Sequence, residues 1–110
     1  MNNLVRGSVV LVNLDPTIGT EIKKTRPVVI VSNDMQNKRS PRIVVLPMTS
    51  NIDTVYSFDI LVSFAGRDSK VLSDQIRTID KTRIIKHLGV LSSQHIVDID
   101  KAIKLTLALS

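Results

Sequence analysis

Four consecutive β-branched residues, Val28-Val29-Ile30-Val31, constrain this chain more than any other feature. Such side chains are stiff at χ1 and pack well on a pleated surface, so residues 27 to 32 are expected to form a core strand. Pro27 has no N–H to give to a ladder, which assigns it to the first position of that strand, and it biases Arg26 toward extended backbone. One arginine thus stands on stiff backbone at the mouth of a rigid element. That placement suits catalysis or ligand binding, and equally an idle, solvated side chain.

The other elements follow from periodicity and punctuation. A strand over 8 to 14 is apolar on both faces and ends at the turn signal Asp15-Pro16. A polar loop over 17 to 25 carries Gly19, Glu21, Lys23 and Lys24, and a second long loop with a helical turn spans Asn33 to Pro41. The third strand, 42 to 48, contains Pro47, which argues for an edge or a bulge there. A loop to Ser57 precedes a strand over 58 to 63. A hairpin turn at Ala65 to Asp68 uses Gly66 for positive φ. A fifth strand runs from Val71 through Thr78, Asp80 caps a short helical turn, and a brief strand over 84 to 88 ends at Gly89. The clearest helix is the last. Ser92 is its N-cap, Leu91 and Ile96 form a hydrophobic staple, and Ile96, Ile99, Ile103 and Leu107 make its apolar stripe. The apolar residues continue to Leu109, wider than one stripe needs, so part of this surface is expected to meet a second subunit.

The early connections are too short for crossover helices, which argues against a parallel α/β sheet. The expected fold class is α+β, mostly β: five or six short strands in a small, SH3-like, bent antiparallel sheet or half-open barrel, with the C-terminal amphipathic helix over one opening. At 110 residues the whole chain, 1 to 110, is expected to be a single domain.

Composition narrows the chemistry. There are no cysteines, so disulfide frameworks, zinc-finger spacings and thiol catalysis are excluded. That usage suits a reducing compartment and, with no signal-peptide pattern in residues 1 to 15 and no apolar run long enough to span a membrane, points to a cytoplasmic protein. The net charge of +5 favours anionic partners, nucleic acid first. The cations cluster as Lys23, Lys24 and Arg26 before the second strand and as Lys38, Arg39 and Arg42 before the third, and both clusters are expected in loops. Tyr56, Phe58 and Phe64 are the only aromatics, so a multi-aromatic stacking platform is not expected and nucleic acid would be held mainly by its phosphates.

There is no Gly-rich phosphate loop, no nucleophile elbow and no His-x-x-x-His pair; His87 and His95 are expected to be structural. Carboxylates are scattered singly, so neither a metal site nor a cofactor is expected. What remains is Arg26, Thr49 and the run Asp74-Gln75-Ile76-Arg77-Thr78, each beside a strand end. An Arg fork matches phosphate geometry and can stabilise charge that grows in a transition state, and a Thr hydroxyl can hold a phosphate oxygen. Asp74 either accepts a proton, orients Arg77, or forms a cross-strand ion pair with it. Gln75 equally suits the satisfaction of loop backbone groups.

These pieces resemble the MazF/PemK family of toxin endoribonucleases. The matching segments are Arg6-Gly7, Leu14-Asp15-Pro16-Thr17 with Gly19 and Glu21, Thr25-Arg26-Pro27-Val28, Asn33-Asp34, Pro47-Met48-Thr49-Ser50 and Asp74 to Asp80, in order over about residues 6 to 109. The resemblance implies a PemK-type half-barrel, a homodimer, and metal-independent, sequence-specific cleavage of single-stranded RNA. The 2′-OH attacks the adjacent phosphorus and leaves a 2′,3′-cyclic phosphate and a 5′-OH. It implies Arg26 and Thr49 as catalytic residues, with Glu21, Asp74, Gln75 and Arg77 as catalytic or RNA-contacting, Lys23, Lys24, Lys38 and Arg39 as phosphate-binding, and a cognate MazE-like antitoxin as partner. Two departures shift weight onto Arg26 and Thr49: some members carry a His where this chain has Thr20, and an Arg where it has Leu72. The competing readings are a non-enzymatic toxin of the same fold that poisons a topoisomerase, and a silent RNA-binding module.

Overall fold

The computed structural model describes residues 3–110. Its seven strands are β1 (Ser8–Asn13), β2 (Thr25–Ile30), β3 (Arg42–Thr49), β4 (Asp59–Phe64), β5 (Arg67–Leu72), β6 (Arg77–Asp80) and β7 (Ile84–Val90). Two helices, α1 (Asp34–Arg39) and α2 (Ser93–Thr106), complete the chain. All pairings are antiparallel, in the order β4-β5-β3-β2-β1-β7, with β6 on β3. The sheet curls until its ends meet: a Cβ on Gly89 of β7 would stand 3.0 Å from the Phe64 ring at the end of β4. This is the bent, half-open barrel expected.

The unbroken apolar runs arise because both faces of the central strands are buried. Val9, Val29, Leu46 and Met48 point into one core, closed by Ile99 and Ala102 of α2. Their neighbours Val10, Val28, Ile30 and Val45 point into another, with Ile43 and Ile79. Each such side chain contributes about 1.5–3 kcal/mol by leaving water.

Several boundaries differ from the expectation, each for a physical reason. Pro27 is not first in β2 but third, because its partner in the register is Leu11 and strand pairing extends back to Thr25. Pro47 lies inside β3. Val31 N–H donates to Val44 O, so alternate residues from Val44 bond β2 and Pro47 faces the other edge. On that edge β3 exchanges partners, from β6 at Val45 to β5 at Met48, so the missing N–H falls in the gap. The single strand expected over 71 to 78 is two, β5 and β6, separated by a 3-10 turn at Ser73–Gln75. The 33 to 41 loop holds a six-residue helix, capped by Asn33, whose side chain accepts from Gln36 N–H at 2.8 Å. Lys38 and Arg39 therefore sit on a helix, not in a loop.

The hairpin at Ala65-Gly66 is a two-residue turn with both residues at positive φ, 52° and 76°, the twist a tight hairpin needs. Gly89 does not end the last strand; it lies within β7 opposite Val9, where a side chain would press on the Phe64 ring. Ser92 caps α2 through His95 N–H, as expected. The buried face of α2 is made by Ile99 and Ala102, while Leu107, placed in the stripe by periodicity, is the exposed C-cap.

Candidate active site

Extending the Val28↔Pro47 register by two residues sets Arg26 directly opposite Thr49, and Thr49 is in turn the partner of Lys70 on β5. Directly opposed residues project to the same face. Arg26, Thr49 and Lys70 thus form one row across three adjacent strands, and all three line a cleft of about 460 Å³.

The row is wired locally. Arg26 Nε donates to Lys23 O at 3.2 Å, and its Nη1 reaches Thr49 Oγ1 at 3.4 Å. Asn51 N–H also donates to Thr49 Oγ1, at 3.2 Å. Both lone pairs of that oxygen are occupied, so the hydroxyl proton is left to donate to a ligand. Lys70 Nζ lies 3.7 Å from Asp59 Oδ2 and donates to Thr54 O. Asp59 Oδ2 also accepts from Tyr56 N–H at 2.9 Å, while its Oδ1 is buried without a partner.

Loops wall the cleft. Gln75 Oε1 accepts from Ile22 N–H at 2.8 Å, fastening the loop before β2 to the 3-10 turn, so Gln75 does serve loop backbone. Asp74 is exposed at the rim. Asp74 and Arg77 form no ion pair; Arg77 Nη1 donates to Leu14 O at 3.2 Å instead. Glu21 closes its own loop by accepting from Ile18 N–H at 2.8 Å. A second hollow of about 310 Å³, lined by Pro27, Met48 and Phe64, shares Arg26, Thr49 and Ser50 with the first. Arg26 and Thr49 therefore stand on the ridge between two hollows.

Of the residues singled out from sequence, the structure brings together Arg26, Thr49, Asp74 and Gln75. Lys23 contributes its carbonyl to Arg26, and exposed Lys24 gives its N–H to Asp15. Lys38 borders a different hollow, beside Leu4 and Lys81. His87 sits in β7 and His95 in the first turn of α2, where its Nε2 accepts from Ser63 N–H at 3.4 Å.

Sequence reasoning missed Lys70 and Asp59. Alternation shows only that Lys70 and Leu72 share one face of β5; what sets Lys70 in the row is its pairing with Thr49, which the sequence does not reveal. Tyr56 and Phe58, stacked on each other with ring centroids 5.4 Å apart and planes 13° apart, share the cleft wall.

This sequence and this fold have relatives. Residues 5–107 match the family described as PemK-like, MazF-like toxin of type II toxin-antitoxin system. The chain is 39% identical over 113 residues to endoribonuclease MazF9 of Mycobacterium tuberculosis, covering 94% of this chain and 96% of that protein. It is 36% identical over 110 residues to endoribonuclease MazF of Staphylococcus epidermidis, covering 96% and 92%. Among solved structures, MazF from Deinococcus radiodurans superposes with a TM-score of 0.88 at 22% identity, covering 99% of this chain and 100% of that one. A mycobacterial endoribonuclease in complex with its cognate antitoxin gives 0.80 at 22% identity, covering 100% and 98%. The chain belongs to the PemK-like, MazF-like toxin family.

Proposed function

We propose that this chain is a sequence-specific endoribonuclease toxin that cleaves single-stranded RNA without a metal ion. In this reading the 2′-OH of one nucleotide attacks the adjacent phosphorus and expels the 5′-oxygen of the next. The substrate supplies its own nucleophile, so no Ser or Cys is required. The task left to the protein is to hold the two oxygens in line and neutralise the phosphorane. Arg26 stabilises the growing charge, since a guanidinium holds its protons too tightly to be a good acid. Thr49 donates its free hydroxyl proton to a phosphate oxygen.

The observation that carries this reading is the Arg26–Thr49 pair on the ridge between two hollows. A phosphate there has room on either side for the nucleotides it joins. Tyr56 and Phe58 offer one of them a face to stack on. Lys23 and Lys24 extend the positive approach beside the cleft, whereas Lys38 and Arg39, on α1, act through the long-range field.

The proposal includes a single domain, a cytoplasmic location, a MazE-like antitoxin whose acidic segment competes for the basic cleft, and a homodimer. Exposed Val97, Leu105, Leu107 and Leu109 at the C-terminal end and Ile85 and Val90 on β7 support the dimer. The topoisomerase reading is not favoured, since the relatives matched over nearly the whole chain are named endoribonucleases. The test is to incubate the purified protein and Arg26→Ala with a long single-stranded RNA in excess EDTA and map the ends. Discrete cuts with 5′-OH ends, lost in the variant, are expected; no cuts across varied RNAs would overturn the reading.

A further inference from the structure

Arg26 leaves one role in the reaction unfilled, because the departing 5′-alkoxide needs a proton that a guanidinium gives up poorly. We propose that Lys70 is a catalytic residue, the general acid that protonates the 5′-oxygen; this rests on the ribonuclease reading above.

Three observations carry it. Lys70 is the cross-strand partner of Thr49, on the side opposite Arg26. Strands lie about 4.8 Å apart, so the Arg26 and Lys70 backbones flank Thr49 with roughly 10 Å between them, room for one phosphate. In-line displacement requires the attacking and leaving oxygens on opposite sides of phosphorus. A phosphate seated on Thr49 can therefore present its 5′-oxygen to Lys70 and its 2′-oxygen toward Arg26.

The ammonium is also held in place. Its side chain is 12% exposed and its nearest carboxylate, Asp59, is 1% exposed. Of its three N–H groups, one is taken by Thr54 O and one points to Asp59 Oδ2, which leaves one to give. Finally, an ammonium gives up a proton more readily than a guanidinium, which suits it to protonate an alkoxide.

The step balances. The 2′-O–P bond forms as the P–O5′ bond breaks, the 2′-OH proton passes to water, and the Lys70 Nζ proton passes to O5′. Water then reprotonates the amine.

The experiment compares wild type and Lys70→Met on two RNAs cut at the same mapped position. One has the natural linkage; the other has a bridging 5′-sulfur, which leaves as a thiolate and needs no proton. On the natural RNA, Lys70→Met is expected to lose about 10²-fold in kcat, but to stay within about threefold of wild type on the 5′-sulfur RNA. A second variant guards against misfolding. The native chain has no cysteine, so the thiol of Lys70→Cys is unique and 2-bromoethylamine converts it to a lysine analogue. That treatment is expected to restore cleavage of the natural RNA. Equal losses on both RNAs, undiminished cleavage of the natural one, or no rescue by alkylation would overturn the assignment of Lys70 while leaving the ribonuclease intact. A wild type that cuts neither RNA would overturn the ribonuclease reading itself.

Discussion

Arg26 and Lys70 are held by strands; Lys38 and Arg39 are held by a short helix. The first two stand in a cross-strand row with Thr49, their charged groups tied to Lys23 O, Thr54 O and Asp59. The second two occupy the last turn of α1, where the helix dipole favours cations, and both are exposed. All four count equally toward the net charge of +5, yet only the strand pair faces the cleft. The difference lies in preorganisation: a cation whose position is fixed before the substrate arrives costs no reorganisation when charge develops.

Substitutions separate the two groups. The largest effect is expected for Arg26→Ala, a loss of about 10³-fold in kcat/KM measured with a cleavable oligonucleotide, at unchanged melting temperature. Thr49→Val keeps the shape and removes the hydroxyl; it is expected to cost about 10²-fold, mainly in kcat. Tyr56→Ala is expected to raise KM about tenfold with little change in kcat, as loss of a stacking face does. The double change Lys38→Ala/Arg39→Ala is expected to shift kcat/KM by less than about threefold, with most of that shift gone at high salt. An effect as large as that of Arg26→Ala would erase the distinction drawn here.

The smallest effect concerns the turn after β6. Thr82, through its backbone N–H and then its hydroxyl, holds the Asp80 carboxyl below its ordinary value of 3.8. A depressed folded-state pKa means stabilisation that is present above the unfolded value and lost as pH falls through the folded one. The melting temperature of Asp80→Ala is thus expected to trail wild type slightly at neutral pH, the gap closing below about pH 4.

Much of this was legible from periodicity. The β-branched run at 28 to 31 built β2 as far as Ile30, the hairpin turned at Ala65-Gly66 within the expected 65–68 span, and Ser92 capped α2 where expected; each acts locally. Less legible was whatever depends on partners distant in sequence. Pro47 looked like an edge residue because nothing local shows that β3 exchanges β6 for β5 at that point. The run through Asp74 looked continuous because its break is imposed by the same exchange. Arg26 and Thr49 were recognisable from their motifs, but Lys70 acquires meaning only through its pairing with Thr49. Likewise, Gln75 and Arg77 share one short motif yet serve different backbone groups, Ile22 N–H and Leu14 O.

β3 carries a further consequence. It is paired along one edge with β2 and along the other with β6 and β5 in turn. A strand bonded on both sides opens late, so in deuterated water the amides of Val44, Val45 and Leu46 should be among the slowest to exchange. The loop from Ser50 to Ser57, which lacks such ladders, should label within the first time points. Thr49 sits at the junction of the two regimes. The loops over the cleft can therefore open and close many times in the life of one folded barrel, while Thr49 keeps its place.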